Sequence, residues 1–324
     1  MSWMELSLDT THEAVDWVCT LLAEMNDIGD VRIAEYIEPN LPHLRDRDIA
    51  QPDWTFTIRF YLHHDAHSRE RAEKIVNLLS PLHRTGLATA LQMTVVEEKP
   101  IHAEGLTPPV HRIGQRFVML TPDALYPSEA ADEVTLRLKT SLSFGSGLHP
   151  ATIVSLQLLE RYIVPTMNVL DLGSGSGILS VAMAKLGANV LALDNDSIAV
   201  QATQDAVSRN GVEQQVTVRE GSLGCGSELG HWMGGDTIDN VPTIEATATF
   251  DLIVTNILAR VHIALADDFQ RALRRTDAHR GVLITAGFTT DYEDEVAMAL
   301  NEAGFEAVDC ERFNEWVALA HRLV

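Results

Sequence analysis

The sequence predicts an α/β protein: a Rossmann-like domain with an open, mainly parallel sheet, preceded by a small α+β domain of the ferredoxin-like type. Three observations support this prediction. The length of 324 residues suits two domains of about 150 residues each. The first hundred residues follow the order β-α-β-β-α-β. From Ile113 onward, short apolar strands alternate with helical stretches.

The ferredoxin-like domain is predicted over residues 1–98. Its strands alternate apolar and polar side chains, and its helices carry apolar side chains at helical spacing. The predicted strands cover residues 3–8, 31–37, 54–62 and 91–97, and the predicted helices cover residues 14–25 and 68–82. This order of elements is that of an antiparallel sheet with two helices on one face.

A linker is predicted over residues 99–112, because this stretch contains three prolines and few apolar residues. The Rossmann-like domain then covers residues 113–324. Its five predicted strands are Asn168–Leu172, Val190–Leu193, Val216–Arg219, Asp251–Val254 and Val282–Thr285. Residues 221–249 contain six glycines and are predicted to form a long surface loop.

The composition is acidic, with 46 Asp and Glu residues against 24 Lys and Arg residues and a formal net charge of −22. Such a surface repels phosphate backbones, so direct binding to nucleic acid is not expected. Three cysteines far apart in sequence (Cys19, Cys225 and Cys310) indicate neither a disulfide framework nor a metal site. No membrane span is predicted. No secretory signal is predicted either, because the first basic residue is Arg32. A cytoplasmic protein is expected.

A glycine-rich motif follows the first strand of the second domain. Asp171 ends this strand, and Gly173, Gly175 and Gly177 follow at alternate positions before an apolar helix. Glycines there let the backbone pass close to a ligand. The dinucleotide fingerprint would require glycine where Ile178 stands, and Asp171 would repel a pyrophosphate. The pattern instead suits a ligand with a cationic tail, such as S-adenosylmethionine.

Further polar residues lie at the ends of the next strands. Asp194 ends the second strand, where a carboxylate can accept both ribose hydroxyls. Asp196 is predicted to cap the following helix, and Ser222, after the third strand, is assigned to the cofactor site. Asn256 ends the fourth strand. In the class of enzymes that bind adenosylmethionine on such a sheet, the residue at this strand end faces the transferring methyl group. The Ile-Leu-Ala sequence after Asn256 differs from the Asn-Pro-Pro-aromatic loop of enzymes that methylate planar nitrogens.

These segments resemble the ribosomal protein L11 methyltransferase family of the PrmA type. The resemblance rests on Phe144-Gly-x-Gly-x-His-Pro-x-Thr152, Asp171-x-Gly-x-Gly-x-Gly177, Asp194 and Asn256-Ile-Leu-Ala259. It implies a class I S-adenosylmethionine-dependent methyltransferase and a first domain that holds a ribosomal protein substrate. It also implies cofactor contacts at Thr152 and a lid-like role for Phe144. The complete predicted cofactor site is Phe144, Thr152, Asp171, Gly173, Gly175, Gly177, Asp194, Ser222 and Asn256.

The implied reaction transfers methyl groups to lysine or amino-terminal amines. Asn256 and nearby carbonyl oxygens can accept hydrogen bonds from such an amine and orient its lone pair, so Asn256 is the predicted catalytic residue. His149 is a candidate general base, but a histidine in such a turn is commonly structural, so none is assigned. No metal is predicted. His63, His64 and His67 lie together without acids or cysteines at ligand spacing.

The chain departs from the family pattern around the substrate rather than around the cofactor. The family usually has Thr where Ala151 stands and a Pro-Gly pair where Thr140 and Ser141 stand. Two alternative functions therefore stay open. One is methylation of lysine in another protein or of a small amine. The other is a non-catalytic module that binds adenosylmethionine.

Overall fold

A computed structural model describes residues 2–12, 14–23, 25, 28, 31–36, 54–98, 111–120, 124–128, 130–138, 149–229, 241–275 and 280–324. The described residues between 2 and 98 form one compact unit, and those of 111–138 and 150–324 form a second. No helix among the described residues is both long and apolar enough to cross a membrane.

The first unit has a ferredoxin-like fold, as predicted. Its elements are β1 (Trp3–Thr10), α1 (Val15–Ala23), β2 (Val31–Glu35), β3 (Phe56–His63), α2 (Ser68–Arg84) and β4 (Gln92–Val96). The strands form one antiparallel sheet in the order β2-β3-β1-β4. Alternation along β1 and β3 places Leu6, Leu8 and Phe60 in the core, where they pack with Ile75 of α2.

The second unit begins with a small sheet that the sequence analysis did not identify. Its strands are β5 (His111–Ile113), β6 (Phe117–Leu120) and β7 (Val134–Arg137). The predicted linker therefore extends too far, because His111 and Arg112 pair with β6. Strands of three or four residues are too short to show a clear alternation. The rest of the predicted linker lies outside the described residues.

The main sheet of the second unit has seven strands in the order β10-β9-β8-β13-β14-β16-β15. The first five strands are parallel, and β16 is antiparallel to both of its neighbours, β14 and β15, so it alone in this sheet runs in the opposite direction. The elements from residue 150 onward are α3 (Pro150–Tyr162), β8 (Asn168–Leu172), α4 (Ile178–Lys185), β9 (Asn189–Asp194), α5 (Ser197–Asn210), β10 (Val216–Glu220), β11 (Ser222–Leu223), β12 (Thr243–Ile244), β13 (Leu252–Asn256), α6 (Ala259–Ala264), α7 (Ala266–Ala272), β14 (Val282–Thr289), α8 (Glu293–Glu302), β15 (Phe305–Phe313) and β16 (Trp316–Leu323). All five predicted strands are confirmed.

Helices cover both faces of this sheet. α3, α4 and α5 pack on one face, and α6, α7 and α8 pack on the other. The strand order reverses at β8, because the chain continues from β8 through β9 to β10 on one side and later adds β13 and β14 on the other. The carboxyl ends of β8, β9 and β13 therefore border a crevice, which is where open α/β sheets bind ligands.

The predicted surface loop at residues 221–249 is partly wrong. Ser222 and Leu223 pair in parallel with Thr243 and Ile244, and a 3-10 helix follows at Gly224–Leu229. Leu223 is also buried. A two-residue strand pair leaves no periodicity in the sequence, which explains the error. Residues 230–240 of the predicted loop lie outside the described residues.

Candidate active site

The glycine loop after β8 folds over the end of β9. Gly173 and Gly175 have φ values of +80° and +52°, in the left-handed region that favours glycine. The Gly173 and Ser174 amides both donate to the Leu193 carbonyl oxygen, at 2.8 and 3.0 Å. The loop backbone is thereby held against the neighbouring strand at the edge of the crevice.

Gly177 serves helix packing rather than an open approach to a ligand. A Cβ atom at this position would lie 2.9 Å from Thr203 Cα in α5. The missing side chain lets α4 begin in close contact with α5. In return, Thr203 Oγ1 donates to the Gly175 carbonyl oxygen at 3.1 Å and lies 2.9 Å from Ser174 Oγ, so α5 also supports the glycine loop.

Asp171 does not line the cleft, which corrects its predicted role as a contact for the cationic tail. The residue has no exposed surface, and its Oδ2 accepts a hydrogen bond of 2.5 Å from Ser180 Oγ in α4. Burial raises the pKa of this carboxyl to about 7. Asp171 therefore anchors α4 below the glycine loop. Its Oδ1 has no hydrogen-bond partner among the described residues.

Asp194 lies where the sequence predicts it, at the end of β9 and in the wall of the cleft. Its Oδ2 accepts from the Gly175 amide at 2.9 Å, and its Oδ1 accepts from the Asp196 amide at 3.0 Å. Burial, the largest effect, raises the pKa of Asp194, and the two backbone hydrogen bonds oppose that rise. Asp196 in turn caps α5 by accepting from the Ile198 amide at 2.8 Å, as predicted.

A cleft opens at the carboxyl ends of β8 and β9. It brings together three of the predicted cofactor residues: Gly173, Asp194 and Ser222. Among the described residues that line it, Asp194 carries the only charged side chain, and none is lysine or arginine. The lining residues are Leu172, Gly173, Asp194, Asn195, Gly221, Ser222, Gly226, Ile257, Val261 and Leu265.

The apolar wall of the cleft was missed by the sequence analysis. Ile257, Val261 and Leu265 come from α6 and its two ends, and their spacing is that of any buried helix face. Gly226 lies between this wall and Ser222: a Cβ there would come 2.2 Å from Ser222 Oγ and 3.5 Å from Leu265. No pattern in the sequence distinguishes these residues from ordinary core and turn positions.

Asn256 and Thr152 form a second predicted group at the end of β13. Asn256 is half-buried, and its Nδ2 donates to Thr152 Oγ1 on α3 at 3.4 Å. Neither residue lines the cleft directly, but Ile257, the next residue, does. Phe144, the predicted lid, lies outside the described residues. His149 precedes α3 and is half-buried.

The chain is similar to known proteins along nearly its whole length. A family model described as "Ribosomal protein L11 methyltransferase (PrmA)" matches residues 2–323. The ribosomal protein L11 methyltransferase of Chloroflexus aurantiacus is 39% identical, over 99% of this chain and 98% of its own length. That of Herpetosiphon aurantiacus is 38% identical over 99% of each chain. The crystal structure of a ribosomal protein L11 methylase from Lactobacillus delbrueckii subsp. bulgaricus matches with a TM-score of 0.50 and 25% identity, covering 68% of this chain and all of that one. The chain therefore belongs to the ribosomal protein L11 methyltransferase (PrmA) family.

Proposed function

We propose that the cleft binds S-adenosylmethionine and that the enzyme methylates lysine or amino-terminal amines of ribosomal protein L11. The observation that carries the proposal is the Asp194 carboxylate at the carboxyl end of β9, in a cleft whose described lining residues include no lysine or arginine. Dinucleotide sites also place the ribose on an acid at this strand end, but the third glycine of their phosphate-binding turn is replaced here by Ile178. A nucleoside with a cationic tail does not need that glycine.

The residues present fit this cofactor. Asp194 uses one lone pair of each oxygen for backbone amides, which leaves further lone pairs for ribose hydroxyls. Gly173 offers backbone without a side chain, and Ile257 and Val261 offer an apolar wall for the base. When bound, the cofactor supplies an electrophilic methyl group on a sulfonium centre.

Asn256 is the residue that we assign to the amine. Because its Nδ2 donates to Thr152 Oγ1, its Oδ1 is the side-chain atom that can accept a hydrogen bond from the substrate nitrogen. This contact would orient the nitrogen lone pair, and orientation is the main demand of an in-line displacement. The apolar wall that contains Ile257 excludes water from the same region. No side chain is assigned as a general base.

The first unit, residues 1–98, is the proposed substrate-recognition domain. Every proposed cofactor residue lies after residue 140, so this unit has no part in the chemistry. It contains 17 acidic against eight basic residues, which complements a lysine-rich ribosomal protein and raises its rate of association. Such a substrate places the enzyme in the cytoplasm, and the same charge disfavours direct contact with nucleic acid.

Incubation of the purified protein with labelled S-adenosylmethionine and ribosomal protein L11, followed by mass mapping of the product, tests the proposal. Label on lysine or the amino terminus of L11 is the expected result. Label on other ribosomal proteins but not on L11 would show that the substrate is wrong. Cofactor binding without transfer to any ribosomal protein would identify a binding module instead of this enzyme.

A further inference from the structure

A buried histidine holds the loop that follows Asn256. His262, in α6, directs its Nε2 at two backbone carbonyl oxygens: that of Ile257 at 3.1 Å and that of Ala286 at 2.9 Å. Ile257 directly follows Asn256, and Ala286 lies opposite Asn256 in the neighbouring strand β14. One side chain therefore joins the end of the strand that carries Asn256 to the strand beside it.

The backbone around this contact is closely interlocked. The Ile257 amide donates to the same Ala286 carbonyl oxygen at 2.9 Å. Gly287 has a φ of +92°, and a Cβ there would lie 2.5 Å from the Ile257 carbonyl oxygen. The pairing of β14 with β16 also shifts its register between Thr285 and Phe288. The close approach of the two backbones at Gly287 gives His262 two carbonyls within reach of one nitrogen.

His262 acts here as a neutral donor. Both partners of Nε2 are carbonyl oxygens, which only accept, so Nε2 carries the proton. The side chain is fully buried, and burial lowers its pKa to about 4. The imidazole and the Phe288 ring also meet edge to face, with 5.3 Å between ring centroids. The contact therefore keeps its proton and its geometry across the physiological pH range.

We propose that His262 is a positioning residue for methyl transfer, which fixes Asn256 through the carbonyl oxygens of Ile257 and Ala286. The inference rests on the proposed role of Asn256. His262 itself touches neither the substrate nor the cofactor. Its effect is to prevent the loop after β13 from shifting, and a shift of about 1 Å at a reacting centre can cost on the order of 100-fold in rate.

His321 offers a matched control. It lies in β16, is 1% exposed, and neither of its ring nitrogens has a hydrogen-bond partner among the described residues. His262→Leu and His321→Leu each remove one buried imidazole from the same side of the sheet, but only the first removes the bonds to the loop. We expect His262→Leu to lower kcat about tenfold or more. The Kd for S-adenosylmethionine should rise by a smaller factor, because Ile257, which lines the cleft, is held by the same side chain. His321→Leu should keep the parental kcat.

Two amide variants add a rescue. His262→Gln places an amide N–H donor at about the position of the imidazole Nε2, whereas the side chain in His262→Asn is one methylene shorter and does not reach it. We expect His262→Gln to recover most of kcat and His262→Asn to recover little, measured with L11 and labelled cofactor. This pair alone decides the matter if His262→Leu fails to fold. Equal kcat values for the two amides, or a parental kcat in a folded His262→Leu variant, would overturn the inference.

Asn256→Ala separates this inference from the proposed function. If Asn256→Ala lowers kcat and His262→Leu does not, only the positioning role is wrong. If Asn256→Ala keeps the parental kcat, the assignment of Asn256 is wrong and the inference about His262 fails with it.

Discussion

The Asp194 carboxylate accepts a hydrogen bond from the Gly175 amide at 2.9 Å, so the acid at the end of β9 also holds the glycine loop after β8. Cofactor contact and loop conformation are therefore coupled through one side chain. The first two predictions depend on this relationship.

Asp194→Ala should weaken binding of S-adenosylmethionine more than tenfold. The variant loses charge-assisted hydrogen bonds, which are worth about 1.5–3 kcal/mol each, and it releases the glycine loop. Isothermal titration calorimetry measures the change. Asp196→Ala is the control, because Asp196 caps α5: it should cost about 1 kcal/mol of stability and leave affinity nearly unchanged. Parental affinity in Asp194→Ala would remove this residue from the site.

Gly175→Ala should also weaken cofactor binding. An L side chain at a φ of +52° costs about 1–2 kcal/mol, and relaxation of that strain would move the amide that Asp194 holds. Gly211→Ala carries a similar strain at a φ of +66°, in open space at the end of α5. We expect both variants to lower the melting temperature and only Gly175→Ala to raise the Kd. Equal Kd values would show that the glycine loop is not the binding loop.

Asn256→Ala should lower kcat by roughly 10- to 100-fold, with a much smaller effect on cofactor affinity. The reason is that Asn256 is assigned to the amine, so its contact matters most when the nucleophile is aligned. Steady-state kinetics at saturating cofactor, together with calorimetry, separates the two quantities. Normal turnover at saturation with weakened cofactor binding would reduce Asn256 to a binding residue.

Asp171→Asn should flatten the pH dependence of stability between pH 4 and pH 7. The folded protein retains the Asp171 proton up to a pKa of about 7, whereas the unfolded chain releases it near 4. The unfolded state therefore binds fewer protons in this window, and stability falls as pH rises through it. The Asn side chain does not ionise, so the variant should not lose this stability as the pH rises. Denaturant unfolding at several pH values is the measurement, and a slope equal to that of the parent protein would mean that Asp171 ionises normally.

Removal of the first unit should abolish protein methylation and spare cofactor binding. A chain that starts near residue 100 retains every proposed cofactor residue but loses the acidic unit assigned to the substrate. We expect parental Kd for S-adenosylmethionine and little methylation of L11. For the full-length enzyme, the KM for L11 should rise with salt, because ions screen the charge complementarity. Full activity of the shortened chain would contradict the proposed division of labour.

The sequence predicts best those elements that are long, periodic and buried. The alternation of Leu6 and Leu8, and the apolar runs around Leu170 and Val254, identify strands correctly. β5, β6, β7, β11 and β12 were missed because two to four residues carry no clear period, and the nine-residue β15 was missed because this edge strand buries few of its side chains. The carboxyl-terminal end of the predicted linker and the extent of the predicted surface loop were wrong because the short strands there leave no pattern.

In the candidate site, strand ends were predictable and tertiary contacts were not. Asp194 and Asn256 follow buried strands, and parallel strands bring their carboxyl ends to one edge. The burial of Asp171 against Ser180 depends on how α4 packs. The contact between His262 and the Ala286 carbonyl joins residues that are 24 positions apart in the sequence. It also lies beside a register shift in the pairing of β14 with β16. Neither leaves a signal in the local pattern.

The pairing of β11 with β12 has a consequence for engineering. Ser222 lines the cleft, and its strand pairs with Thr243 and Ile244, so this pair brings together two segments that are about 20 positions apart in the sequence. A loop closed in this way pays only about 0.6 kcal/mol for each doubling of its length. An epitope tag or a small reporter inserted between residues 230 and 240 should therefore be tolerated with the cofactor affinity preserved. This position offers a handle for immobilising the enzyme without using either terminus.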